Sequence, residues 1–294
     1  MKSRTLGVLT ATLVIYVGVA ALFLAIASSG RGGEGARIFG PRVAIVELEG
    51  MILEVEDLIR DLKLYRENPQ VKAVVIRINS PGGVVGPTQE LHQALMRVRE
   101  AGKPVVASLG SVAASGGYYT AVAADRIFAN PGTLTGSIGV IMQMANVESL
   151  FKKVGVDYVV VKAGRYKDIG NFTRPMTPEE RRVLQTLLDD VHAQFIDAVA
   201  TGRKLDRADV VKFADGRVFS GTQARDLKMI DTLGSFEDAI NEAAKLAGLR
   251  VPPSVIRPSR RFSLFDLVRS QLGVRLDALT PALPTLKTLL YLMD

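Results

Sequence analysis

Val71-Lys-Ala-Val-Val-Ile-Arg-Ile-Asn-Ser-Pro-Gly-Gly83 is a β-branched run closed by a turn. Such a run, apolar at successive positions rather than at every second one, is what a strand buried on both faces requires. Thr88 to Arg99 follows with helical spacing, and Lys103 to Leu109 returns to a short buried strand. Upstream, Arg42 to Leu48 reads as a strand and Val55 to Arg66 as an amphipathic helix. Strands alternating with helices imply an α/β layered domain with a mostly parallel sheet.

In such sheets ligands gather at the carboxyl ends of the strands. Two stretches fall there. The first is Ser80-Pro-Gly-Gly, where Gly82 and Gly83 can bring an unobstructed backbone N–H to a substrate. The second is Gly110-Ser-Val-Ala-Ala-Ser-Gly-Gly117, followed by the apolar Tyr118 to Ala124, which reads as a buried helix. A serine at a strand-to-helix turn, here Ser115, has its hydroxyl pushed out of the sheet and the positive end of a helix beside it. The stretch lacks the Gly-x-Ser-x-Gly pattern, and an ordinary turn with a capping serine has the same local sequence.

Further on, Asp125 to Met142 carries a strand, a turn and a second glycine-flanked serine, Ser137. Val147 to Val154 reads as a helix, Asp157 to Lys162 as a strand, and Pro178 to Gly202 as a long helix. Thr177 is its N-cap, with Glu180 at the capping-box spacing. A serine hydroxyl needs a base to become a nucleophile, and a His-Asp pair is the usual device. His92 and His192 both lie in helices, away from the sheet edge. The remaining option is a neutral lysine, a competent base once its pKa falls to about 7–8. Lys167, in the glycine-bounded loop after Lys162, is one of many lysines from which spacing alone does not select.

Composition narrows the function classes. There is no cysteine, which excludes disulfides, zinc-thiolate sites and a cysteine nucleophile. The two histidines form no ligand cluster, so neither a metal nor a cofactor is expected. The net charge of +7 is spread along the chain without interleaved aromatic residues, which argues against a nucleic-acid partner. Leu6 to Ala27 runs without a charge behind Lys2 and Arg4, a length that fits the roughly 20 residues needed to cross a bilayer. It reads as an uncleaved signal anchor, although Ala25-Ile-Ala27 has the form of a cleavage site. The expected organisation is an anchor (1–28), a flexible linker (29–41), a catalytic domain (42–250) outside the cytoplasm, and a Pro-containing tail (251–294). Phe265 to Leu279 and Leu286 to Met293 in that tail have the spacing of two short amphipathic helices.

Taken together, Ser80-Pro-Gly-Gly, Ala113-Ala-Ser-Gly-Gly-Tyr-Tyr, Thr133-Leu-Thr-Gly-Ser-Ile-Gly-Val-Ile, Lys162-Ala-Gly-Arg-Tyr-Lys-Asp-Ile-Gly and Ala214-Asp-Gly-Arg-Val-Phe-Ser-Gly resemble the signal peptide peptidase A family of serine peptidases, over about Arg42 to Leu249. The resemblance implies a ClpP/crotonase-like fold, Ser115 as nucleophile, Lys167 as general base and Ser137 orienting that lysine. It further implies an oxyanion hole built from the amides of Gly83 and Gly116, remnant signal peptides in the membrane as substrates, and dome-like homo-oligomeric rings in which neighbours complete each other's sites. Gly82, Val84 and Val85 are candidates for the peptide groove. The alternatives are a related Ser-Lys membrane protease that cuts stomatin-like proteins, an acyl-CoA enzyme of the crotonase type, and an inactive membrane-anchored scaffold.

Overall fold

A computed structural model describes residues 40–258 and the backbone of 290–292. The expected anchor and linker and most of the tail lie outside these residues. Among those described, no helix is long and apolar enough to cross a membrane.

The chain runs β1 (Arg42–Glu49), α1 (Glu56–Glu67), β2 (Val71–Ser80), β3 (Gly82–Val84), α2 (Val85–Glu100), β4 (Val105–Ala114), α3 (Gly116–Ala121), β5 (Arg126–Ala129), β6 (Leu134–Gly136), α4 (Glu148–Val154), α5 (Pro178–Arg203), α6 (Arg207–Val211), β7 (Val218–Ser220), α7 (Gly221–Asp226), β8 (Thr232–Leu233), α8 (Phe236–Leu246), β9 (Val255–Ile256) and β10 (Leu290–Leu292). One sheet has the order β7-β6-β4-β2-β1-β9, with β5 beside β4 and β8 beside β5. All of its pairings are parallel except β6 with β7. The α/β layered architecture with a mostly parallel sheet expected from the alternation of elements is what forms.

The unbroken apolar run of β2 is explained by cover on both faces. Val74, Ile76 and Ile78 belong to the large core shared with α1, α2 and α5, while Ala73 and Val75 pack with Val43, Val106 and Phe128 against Ala239, Ala243 and Ala244 of α8. Each of these strand residues is essentially inaccessible to water, which favours this arrangement by about 25 cal/mol per Å² of apolar surface removed from water.

β4 is longer than the apolar pattern suggests, and its extra length positions the site. Its first half pairs with β5 and its last residues with β6. Between them the register against β2 slips: Ile78 faces Leu109 and Ser80 faces Ala113. The bulge lets Asn79 Oδ1 accept from the Val112 N–H at 3.3 Å, and a Cβ on Gly110 would meet the Ile78 carbonyl oxygen at 3.0 Å. A bulge of this kind bends and twists a strand and re-aims its end, and the end of this one is Ser115.

Three sequence expectations are corrected. Asp157–Lys162 is not a strand: residues 156–162 have no regular secondary structure. Val159 and Val161 are 83% and 96% exposed, and among the described residues no strand pairs with this segment. Leu290–Leu292, read as part of an amphipathic helix, is a strand on β3. Val255–Ile256, at the start of the stretch read as a Pro-containing tail, adds to the sheet edge beside β1. Elsewhere the capping box of α5 forms as its spacing predicts, with Thr177 Oγ1 accepting from the Glu180 N–H and Glu180 Oε2 from the Thr177 N–H.

Candidate active site

Ser115 joins β4 directly to α3 with φ 51° and ψ −117°. A non-glycine residue there is strained by about 1–3 kcal/mol. The strain is held in place from several sides. The Ser115 N–H donates to the Gly136 carbonyl at 2.7 Å and the Tyr119 N–H to the Ser115 carbonyl at 2.8 Å. All six residues of α3 are buried, and the Tyr118 hydroxyl donates to the Met229 carbonyl at 2.9 Å, with burial pushing the phenol pKa well above its ordinary value. Gly117 lies so close to β2 that a Cβ would sit 2.8 Å from the Ser80 carbonyl oxygen.

The serine does not cap the helix it precedes. Its Oγ is buried and has no hydrogen-bond partner among the described residues, an arrangement that costs stability. An ordinary capping turn has neither the strained backbone nor the idle hydroxyl. A strained strand-to-helix turn is also how the Gly-x-Ser-x-Gly elbow exposes its nucleophile, and this chain reaches that geometry without the first glycine.

Ser137 is the second strained serine, at φ 50°, behind Gly136 at φ 83°. β4 and β6 are parallel with Ala114 opposite Gly136, so the two serines follow as the next residues of adjacent strands. Threonines in Thr133-Leu-Thr-Gly-Ser secure the alignment: Thr133 Oγ1 donates to the Gly110 carbonyl and Thr135 Oγ1 to the Ala113 carbonyl, both at 2.7 Å. The Ser137 N–H donates to the Arg217 carbonyl at 2.9 Å. Beside Ser137 opens a cavity of about 750 Å³, lined also by His192, Asp215, Arg217 and Gln185. His192 Nε2 is buried there, without a hydrogen-bond partner among the described residues.

The glycine pair comes to the same edge. Ser80 faces Ala113 across β2 and β4, and its Oγ accepts from the Gly82 N–H at 3.1 Å, pinning the turn into β3. β3 in turn lies against α3. Gly83 is enforced sterically, because a Cβ would come within 2.2 Å of the Ile52 carbonyl oxygen. Gly116 is the first residue of α3, where backbone N–H groups lack intrahelical partners. Val84 stays partly exposed, whereas Val85 is buried in the core.

Lys167 makes no hydrogen bond to Ser115. It is exposed, and among the described residues its ammonium has no hydrogen-bond or ion-pair partner. Its loop is nevertheless built. Lys162 pairs with Asp168, Arg174 bridges Asp168 and Glu180, and Arg165 and the Tyr166 hydroxyl both reach Glu179. The hydrogen bonds from Arg174, then that from the Thr177 N–H, hold the Glu180 carboxyl down to about 2. Sequence reasoning missed this charged frame, for which the signal was the density of opposite charges between Lys162 and Glu180.

A depressed carboxylate contributes stability that is complete above its ordinary value of 4.5 and is lost as pH falls through about 2. Glu180→Gln is therefore expected to cost on the order of 1–2 kcal/mol at neutral pH, Arg174 being part exposed and screened. In thermal melts the gap between variant and parent should shrink below pH 4.5 and close near pH 2. A gap that is constant with pH would mean that Glu180 acts through packing alone.

Burial, then Arg99, pushes the His92 imidazole down to about 4, and its ring meets Tyr119 edge-on at 5.1 Å. It backs the helix that follows Ser115. Among the described residues no cluster of His, Asp or Glu could hold a metal ion.

Comparison with known proteins adds a separate line. The sequence profile of Peptidase family S49 matches residues 97–250. A putative protease of Synechocystis sp. is 46% identical over 210 residues, 71% of this chain and 75% of that protein. Protease 4 of Salmonella typhi is 37% identical over 223 residues, 72% of this chain but only 35% of that protein. A putative signal peptide peptidase of Enterococcus faecium is 34% identical over 190 residues, 65% and 55% of the two chains. Among solved structures, a ClpP1 mutant from Listeria monocytogenes superposes with a TM-score of 0.46 at 18% identity, over 67% of this chain and 94% of that one.

Proposed function

This chain belongs to peptidase family S49, and from that premise we propose that it is a membrane-anchored serine endopeptidase that cuts extended apolar peptides, remnant signal peptides among them, with Ser115 and Lys167 as its catalytic pair. The observation that carries the proposal is the conformation of Ser115: a strained backbone and a buried hydroxyl with no structural employment. Strain of this kind persists where function uses it.

In the proposed reaction the neutral Lys167 amine takes the proton from Ser115 Oγ as that oxygen attacks the peptide carbonyl. The amides of Gly83 and Gly116 hold the negative charge that forms on the carbonyl oxygen. The lysine ammonium then gives its proton to the leaving amine. In the second half the same amine takes a proton from water, which attacks the acyl-serine and regenerates Ser115. In this reading Ser137, one residue beyond Gly136 at the end of the adjoining strand, accepts a hydrogen bond from the lysine and orients it.

Within one chain Lys167 is exposed and Ser115 Oγ is unpartnered. We infer that the pair is completed between copies, each lending its Lys167 loop to a neighbour's serine. Two observations support this. The segment leading into the loop, with Tyr158, Val159 and Val161, presents apolar side chains to solvent that a second copy can cover. The cavity beside Ser137 leaves room for an incoming side chain. In this reading the charge-free run Leu6 to Ala27 is a membrane anchor and the catalytic domain lies on its extracytoplasmic side, beside the membrane that holds spent signal peptides.

Mixing Ser115→Ala chains with Lys167→Ala chains tests the sharing. If sites are completed between copies, hydrolysis of an apolar peptide ester should return in the mixture from two inactive preparations. A mixture as inactive as its parts, with subunit exchange verified by mass spectrometry, would place both groups on one chain.

A further inference from the structure

The residues on either side of Lys167 are both tied to one end of α5. The Tyr166 hydroxyl donates to Glu179 Oε1 at 2.6 Å. Asp168 Oδ2 accepts from Arg174 Nε at 3.1 Å, and Nη1 of the same guanidinium donates to Glu180 Oε2 at 2.9 Å. Asp168 Oδ1 is taken up by Lys162. Glu179 and Glu180 belong to the first turn of α5, where the capping box with Thr177 fixes Glu180 in turn. Tyr166 and Asp168 therefore reach inward, the Asp168 side chain being only 11% exposed, while Lys167 between them faces solvent.

The backbone is fixed to match. The N–H of Lys167 donates to the Gly164 carbonyl at 3.2 Å, that of Ile169 to the Tyr166 carbonyl at 3.1 Å and that of Asn171 to the Asp168 carbonyl at 3.0 Å, a chain of overlapping tight turns. Gly164, at φ 95°, opens it in a conformation that a side chain would strain. Farther along α5, Val191, Phe195, Ile196 and Val199 are buried in the core, and the Phe195 ring meets Tyr119 of α3 edge-on at 5.0 Å. The lysine loop is thus fastened to a helix that is itself anchored behind Ser115.

We propose that Tyr166 and Asp168 are positioning residues for the base: held by Glu179 and, through Arg174, by Glu180, they fix the backbone of Lys167 so that its amine is presented in one place to the serine it serves. The proposal rests on reading Lys167 as the general base. A lysine lent to a neighbouring copy is ordered by its own chain or not at all until the copies meet, and this frame lies wholly within the chain that carries the lysine. The frame also occupies the Asp168 carboxylate. Shared between Lys162 and Arg174, that carboxylate is not left over to hold the ammonium next to it in sequence. Exposed ion pairs stabilise a fold little, whereas a shift of about 1 Å in a reacting group can cost on the order of 10²-fold in rate.

The test uses the full chain, an apolar peptide ester as substrate, and the variants Tyr166→Phe, which removes one oxygen, and Asp168→Asn, which removes one charge. Each should lower kcat by about 3–10-fold and the two together by about 10–100-fold, with KM held within about twofold, as expected when only the placement of a reacting group is lost. Asp168→Glu, which keeps the carboxylate, should recover most of what Asp168→Asn loses. Hydrogen exchange should quicken at residues 163–171 in the double variant and stay unchanged at residues 191–199. A merely structural role would lower the melting temperature and leave kcat per folded molecule at the parent value. That result in the double variant, with Lys167→Ala inactive, would overturn the inference, and so would a loss carried by KM alone. Failure of the base assignment has a different mark: Lys167→Ala itself stays active, and the inference falls with it.

Discussion

Ser115→Ala is expected to lower kcat/KM for an apolar peptide substrate by at least about 10³-fold, with the fold intact. Removing the nucleophile of a serine peptidase leaves only the contributions of the oxyanion hole and of binding. Alanine does not disturb the surroundings, because the Ser115 hydroxyl makes no hydrogen bond that would be lost. The same reasoning extends to stability. Alanine keeps the strain at φ 51° and ψ −117°, whereas glycine adopts it freely. Ser115→Gly should therefore be equally inactive yet more stable, by on the order of 1 kcal/mol after glycine's own entropic cost. Calorimetry on the three proteins checks this. An inactive Ser115→Gly chain that melts below Ser115→Ala would show that the conformation is not strained and would remove the main support for a functional serine.

Lys167→Ala should cost nearly as much as Ser115→Ala, and the double variant scarcely more than either, because nucleophile and base act as one unit. Lys167→Arg should be no better than alanine, since a guanidinium stays protonated and cannot accept the serine proton. Melting temperature should change little in either variant, the side chain being exposed and without a partner among the described residues. A Lys167→Arg chain that retains a tenth or more of the activity would assign the base elsewhere, and His192, whose Nε2 lies unpartnered in the cavity beside Ser137, would be the first residue to examine.

The sheet was legible because burial on both faces leaves a plain trace: a run such as Ala73 to Ile76 has no surface on which to put a polar residue. The long helix was legible because Thr177 and Glu180 carry their capping function in their own side chains. The site was legible in part. A glycine pair and a serine after successive strands must share one edge of a parallel sheet, and the structure places Gly83 and Ser115 there. The tilt of Ser115 was not legible, because it comes from a bulge at Gly110 to Val112 that depends on the neighbouring β2. Nor was the position of Leu290–Leu292. Leucines at helical spacing carry no sign that an edge strand far back in the chain offers them free backbone groups. Lys167 is the sharpest case, for among the described residues no side chain bonds it. Asp157 to Lys162 misled for a related reason: its valines have the composition of a strand, but among the described residues no strand pairs with it.

The most direct measurement is to treat the protein with a fluorophosphonate carrying an apolar tail, which an activated serine oxygen attacks at phosphorus with loss of fluoride, and to locate the stable phosphonyl adduct by peptide mass spectrometry. The expected result is a single adduct on Ser115, absent from Ser115→Ala and strongly slowed in Lys167→Ala. An adduct on Ser137, or labelling that is indifferent to the loss of Ser115, would contradict the assignment of Ser115 as nucleophile.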